Sequence, residues 1–172
     1  MPFFLHPIVE QIPGLRRYAR ALTGGKKENA DDLVQDTLER AYVKWHLFKL
    51  GTDLRPWLFS IMHNVFVNEM RLLKHRVTQS SIDDDLIDTS ASQEDYVQMR
   101  QTLTAVGQLA PDLRAVLILV SVEEFSYAET AKVLDIPIGT VMSRLSRART
   151  QLRLLTGEPA LTGPRSGLRL VE

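Results

Sequence analysis

Apolar residues in this chain recur every three or four positions, and no strand-length run alternates apolar with polar. The spacing runs through Leu15, Tyr18, Ala19 and Leu22, then Val34, Leu38, Ala41 and Trp45, then Leu58, Ile61, Val65 and Leu72. This is the period of one helix face, so the chain is expected to be all-α. Gly24-Gly25 ends the first helix, and Gly51-Thr-Asp separates the second from the third. Thr52 or Asp53 is positioned to cap the third helix, with Pro56 placing its start near residues 55–57. Two further helices are expected over 97–109 and 112–122, separated by Pro111.

Between the two helical stretches lies a segment of different character. Residues 78–95 hold six acids (Asp83, Asp84, Asp85, Asp88, Glu94 and Asp95) and no base, amid Ser and Thr, with no apolar period. That is linker composition. It reads either as a solvated tether or as an acidic strap that follows or shields a basic face. It divides the chain into two small helical domains, 1–77 and 96–155, joined by a flexible acidic linker at 78–95. Residues 156–172, with Gly157, Gly163, Gly167, Pro159 and Pro164, read as a mobile tail.

This division changes the meaning of the net charge, which is zero from 21 basic and 21 acidic residues. Residues 1–77 carry 12 bases against 8 acids, and residues 96–155 carry 7 against 5. Two basic lobes are therefore separated by an acidic segment, and nucleic acid stays open as a partner.

The second lobe holds the most informative pattern. Ser126-Tyr-Ala-Glu129 fits a capping box. Ala128, Ala131, Val133 and Leu134 then build a short helix, and Pro137 keeps Asp135-Ile-Pro-Ile-Gly139 from being a helix interior. Val141, Leu145, Ala148 and Leu152 form one stripe of a longer helix. That helix also carries Arg144, Arg147, Arg149 and Arg153, with no acid from Gly139 to Leu155. Soluble helix surfaces usually mix the two signs. A short helix, a tight turn and an arginine-faced helix therefore suit entry into a DNA major groove; the alternative is a solvated amphipathic helix.

Residues 126–149 resemble the C-terminal helix-turn-helix of extracytoplasmic-function sigma factors, and Leu109-Ala-Pro-Asp-Leu-Arg-Ala-Val-Leu-Ile-Leu resembles that domain's opening helices. Ala30-Asp-Asp-Leu-Val-Gln-Asp-Thr-Leu-Glu-Arg-Ala-Tyr42 resembles the family's polymerase-binding helix. Asp53-Leu-Arg-Pro-Trp-Leu-Phe-Ser-Ile-Met-His-Asn64 resembles the start of its promoter-melting helix. The likeness spans about residues 8–155. It implies a factor that binds the RNA polymerase core, through the clamp helices of the largest subunit and the flap, and directs promoter recognition.

By the same resemblance, Asp32, Leu33, Gln35, Asp36 and Arg40 are the core-binding residues. Asn64, Asn68, Arg71, Lys74 and Arg76 would meet the melted minus-ten element, where bases are held in pockets and the backbone by polar and cationic groups. Thr140, Met142, Ser143, Arg144, Ser146, Arg147 and Arg149 would meet the minus-thirty-five duplex. Met142 and Ser146 stand where the family often has a cation and a bulky residue. Trp57 could stack on a base, but its apolar neighbours Leu58 and Ile61 favour a place in the core. An anti-sigma factor that clamps between the domains is a further implied partner.

Other classes fit less well. A sigma-like adaptor that occupies a regulator would not need the arginine face. The Asp31-Asp32 and Asp83-Asp84-Asp85 clusters have no convergent His or cation, and no Gly-rich phosphate loop, Ser-centred elbow or His-rich helix is present. No enzyme, metal or cofactor is expected, and His63 and His75 read as polar contacts or surface residues. With no Cys there is no disulfide or thiolate site. Pro2, His6, Pro7, Pro13 and three arginines interrupt residues 1–22, so no signal peptide is read there. With no apolar run near the ~20 residues of a bilayer span, the expected place of action is the cytoplasm.

Overall fold

The computed structural model describes residues 5–49, 51–76 and 102–157, and all of its regular elements are helical. Helix α1 is Leu5–Leu22, α2 is Lys27–Val43, a single 3-10 turn follows at Trp45–Leu47, and α3 is Leu54–Arg76. After the undescribed stretch, residues 102–108 form α4. Then come α5 (Pro111–Ser121), α6 (Tyr127–Leu134) and α7 (Ile138–Thr156). The linker read at 78–95 and the tail from residue 158 onward lie outside the described residues, as do residues 97–101 of the expected fourth helix. Side chains at Lys74, His75 and Arg76 lie outside them too.

The boundaries follow local chemistry. Gly24 and Gly25, with φ of 71° and 90°, reverse the chain after α1 in a region only glycine enters readily. Asp53 Oδ1 accepts from the Arg55 backbone N–H at 3.0 Å and so caps α3. The helix therefore starts at Leu54, slightly earlier than Pro56 suggested. Pro111 is the first residue of α5 and not a spacer before it, the place where its missing N–H is harmless. Pro7 and Pro13 both lie within α1, which continues through them.

Helices α1, α2 and α3 pack on one another; so do α5, α6 and α7. The two lobes are not separate, because α1 also packs on α5 and α3 on α6. One apolar cluster runs from Leu15, Tyr18 and Phe59 in the first lobe to Val116, Phe125 and Leu145 in the second. The periodic stripes do most of this work. Leu15, Tyr18, Ala19 and Leu22 are all buried, as are Val141, Leu145 and Ala148; Leu152 is half-buried at the margin. Trp57 stands half-buried in an aromatic trio, 5.1 Å from Phe48 and 6.0 Å from Trp45 between ring centres. Among the described residues no helix is long and apolar enough to cross a membrane.

Candidate nucleic-acid interface

The helix-turn-helix is built from its caps. Ser126 Oγ accepts from the Glu129 backbone N–H at 3.2 Å, while Glu129 Oε2 accepts from the Ser126 backbone N–H at 2.8 Å and from its hydroxyl at 2.6 Å. The reciprocal box closes the start of α6. These Ser126 bonds also hold the Glu129 carboxyl below its usual range. Asp135 ends α6 in the left-handed region at φ 52°, and Pro137 in extended conformation launches α7. With Val141, Leu145 and Ala148 sunk against α5 and α6, the opposite side of α7 faces outward.

On that side Met142, Ser143, Ser146, Arg147 and Arg149 are exposed, and Thr140 is half-buried at the helix start. Arg153 continues the face one turn further on. Ser143 Oγ donates to the Thr140 carbonyl at 3.1 Å, which keeps that small side chain close to the helix. Arg144 is different. Its guanidinium Nε lies 3.4 Å from Asp112 Oδ2 and its side chain is only 29% exposed. Its charge also reaches His63 on α3 in the other lobe. Burial first, then the Arg144 charge, lowers the His63 pKa to about 4. His63 Nδ1 and the Tyr18 hydroxyl share a hydrogen bond of 3.2 Å, so His63 is a polar contact of the interior.

In the first lobe, Asn64, Asn68 and Arg71 are exposed at i, i+4 and i+7 on α3, one helical face. Lys74 and Arg76 extend the same helix, beyond the last described side chain. On α2, Asp32, Gln35 and Arg40 are exposed and Asp36 is half-buried. Leu33 departs from the expectation, being only 1% exposed. It falls on the Ala30, Val34, Thr37 side of the helix, so it supports the polar face from beneath and offers a partner nothing. Gln35 Nε2 donates to Glu39 Oε1 at 3.0 Å. Glu69 of α3, absent from the expected set, joins the Asp36 end of this face. Burial and then the Asp36 charge raise its pKa, and Arg40 opposes them. A groove of about 330 Å³ between Arg16 of α1 and Asp31, Gln35 and Glu39 of α2 borders the same surface.

The lobes meet at a carboxylate that the sequence did not single out. Glu123, in the turn between α5 and α6, has a side chain with no exposure. Arg17 Nε and Nη2 from α1 donate to its two oxygens at 2.8 and 3.0 Å. Arg55 Nη2 from α3 donates to Oε2 at 2.9 Å and to the Glu123 carbonyl at 2.7 Å. The Arg55 guanidinium also lies over the Phe125 ring, 4.6 Å from its centre. At the opposite end of α5, buried Arg114 donates to the carbonyls of Ala21 and Leu22 at the end of α1, and to that of Leu109. One signal was available in advance: Arg114 is the lone charge inside the apolar run from Leu113 to Leu119. Nothing in the Glu123-Glu124 pair marks Glu123 as the buried one.

A helix-turn-helix lobe docked on a three-helix lobe is the architecture of a small sigma factor, and comparison with known proteins agrees. Residues 8–63 match the family described as the Sigma2 domain of PhyR, and residues 99–152 match sigma-70, region 4. The ECF RNA polymerase sigma factor EcfG of Rhodopseudomonas palustris is 36% identical over 86% of this chain and 82% of its own. SigM of Bacillus subtilis is 33% identical over 75% and 80%. The chain belongs to the extracytoplasmic-function sigma factor family. Among solved structures, the sigma factor RpoE of Bartonella quintana, in complex with the anti-sigma factor NepR, is 33% identical with a TM-score of 0.81, covering 92% of this chain and 99% of that one. CnrH in complex with the cytosolic domain of CnrY is 26% identical with a TM-score of 0.65, over 91% and 89%.

Proposed function

We propose that this chain is a transcription initiation factor that binds the RNA polymerase core in the cytoplasm, directs it to promoters and is controlled by an anti-sigma factor. The observation that carries the reading is the capped α6-turn-α7 unit, with an outward face that holds Arg147, Arg149 and Arg153 and no acid anywhere in α7. Arginine's fork grips phosphates and reads guanine. In this reading Thr140, Met142, Ser143, Arg144, Ser146, Arg147 and Arg149 meet the minus-thirty-five duplex. Asn64, Asn68 and Arg71, continued by Lys74 and Arg76, meet the melted minus-ten strand. Asp32, Gln35, Asp36 and Arg40, over the Leu33 anchor, meet the clamp helices of the largest polymerase subunit, and the second lobe meets the flap. The domains are those expected from the sequence, 1–77 and 96–155 about a linker at 78–95. Support for an anti-sigma partner comes from RpoE and CnrH, each solved in complex with a protein partner.

A second reading, a sigma-like adaptor that occupies a regulator, is favoured by the match of residues 8–63 to the Sigma2 domain of PhyR. The exposed arginines of α7 favour the first reading, since among the described residues Arg147, Arg149 and Arg153 form no ion pair. Transcription in vitro with purified core polymerase and a promoter library separates the two. Initiation that depends on the chain is expected. A chain that neither bound core nor initiated on any promoter would replace this reading with the adaptor.

A further inference from the structure

The outward surface of α7 changes character along its length. Ile138 and Met142 are 47% and 50% exposed and stand four residues apart on one side of the helix, in its opening turns. Arg149 and Arg153 follow on that same side, both exposed. Next to Met142 the surface is low. Gly139 has no positive φ, and a Cβ there would meet nothing within 4 Å. Alanine would fit that position and favour the helix more, so what glycine contributes is bare backbone that a flat partner can approach closely. Ser143, on the far side of Gly139, is drawn down onto the Thr140 carbonyl.

Single exposed apolar residues are ordinary on a protein surface. A pair at the start of a recognition helix is not, because those are the residues that meet base edges while phosphates are held around them. Isoleucine has no hydrogen-bonding group in its side chain, and the methionine sulfur is only a weak acceptor. Against the edge of adenine, guanine or cytosine, the pair would strip water from polar groups and return no hydrogen bond. Thymine alone presents a C5-methyl group in the major groove. Four residues of helix rise about 6 Å, which matches about two base pairs at 3.4 Å each. The unpaired arginines on the same helix supply the charge complementarity that favours duplex DNA over an apolar protein surface as the partner of this side.

We propose that Ile138 and Met142 are specificity-determining residues that read thymine methyl groups at one or two neighbouring base pairs of the bound duplex. This deepens the reading of α7 as the DNA-binding helix and rests on it, and the test keeps the two apart. Duplexes that the full chain binds are enriched from a pool with a randomised stretch of about 12 base pairs, at about 50 mM salt. A parallel series contains core polymerase. In the enriched duplex each thymine is then replaced, one at a time, by deoxyuridine. That exchange removes the methyl group and leaves every hydrogen-bonding group of the base in place.

One or two of these replacements are expected to weaken binding about fourfold each, the effect of withdrawing one methyl-sized group from water. Ile138→Ala and Met142→Ala are exposed changes to a strong helix former and should fold as the native chain does. Each should abolish the deoxyuridine penalty at its own position, a coupling that a merely structural role would not produce. Arg147→Ala should instead weaken binding to the thymine and deoxyuridine duplexes alike. An enriched duplex with no methyl-sensitive thymine would overturn the proposal. So would a penalty that persists in both alanine variants. In either case a loss of affinity in Arg147→Ala would leave α7 as the DNA-binding helix. If neither series enriched any duplex, the DNA-binding reading would fail, and the thymine contact with it.

Discussion

Single side chains in this molecule carry unequal burdens. Arg147 is exposed on α7, so Arg147→Ala should leave folding intact and weaken binding to a matched promoter duplex by about 1–3 kcal/mol, read by fluorescence anisotropy. His63 gives a pH prediction. Its pKa of about 4 in the folded chain lies below the ordinary 6.5, so the unfolded chain binds the extra proton first as pH falls. The stabilisation is complete above about pH 6.5 and declines from there to pH 4, by up to about 3 kcal/mol from this group. His63→Gln should flatten that acid limb in urea melts followed between pH 7 and 4.5. An equally steep limb in the variant would assign it to other groups. Legibility at this scale was uneven. The face of α7 follows from spacing alone, because exposure there is set by one helix's own period. Leu33 lies beside Asp32 in sequence but 100° round the helix, and only packing against α1 and α3 shows it to be core. Glu123 depends on two arginines 106 and 68 residues away, and no local pattern encodes such a partnership.

At the scale of the helix, most of the fold was readable. The apolar period located the body of each long helix, but it ran Trp45 into α2, which ends at Val43 before a separate 3-10 turn, and it missed the start of α1 at Leu5; the Ser126–Glu129 box marked the start of α6 to the residue. The ends were less exact where two rules competed. Pro56 argued for a later start to α3, but Asp53 supplies the cap and leaves Pro56 in the first turn, where no N–H is needed. Ser126→Ala removes one half of the capping box and leaves the Glu129 carboxylate without its hydroxyl partner. It should lower stability by about 1 kcal/mol in urea denaturation. The α6–α7 turn holds Asp135 at positive φ, and Glu124 at φ 56° is a second left-handed residue just before α6. Glu124→Gly should therefore be neutral or stabilising, by up to about 1 kcal/mol, where most surface glycine substitutions are destabilising.

The whole molecule is where reading by segments stopped short. Charge counts and the acidic stretch divide the chain into two lobes, and nothing in either half announces that α1 will seat on α5 and α3 on α6. That contact is made by surfaces whose sequences also serve each lobe's own interior: Phe59 meets Tyr18 of its own lobe and Phe125 of the other. A shared core predicts shared unfolding. Both tryptophans, Trp45 and Trp57, lie in the first lobe, whereas far-ultraviolet circular dichroism sees the helices of both. Their thermal transitions should coincide in the native chain and separate in Gly14→Ala, where the added Cβ would stand 2.9 Å from Glu123 Oε2 across the contact between lobes; non-coincident transitions in the native chain would show the lobes melting independently.

Arg144 carries one last consequence. In the proposed complex it is a DNA contact, and in the free chain its guanidinium lies 3.4 Å from Asp112 of α5. Met142, Ser146 and Arg147, exposed along the same helix, have no such second duty. Drift toward a new operator sequence can proceed through those three positions alone. A change at Arg144 would remove the α7–α5 ion pair with Asp112 along with its reading of DNA. The recognition helix is thus divided into a tunable stretch and an anchored residue, and related chains with different target sites should vary in the first before the second.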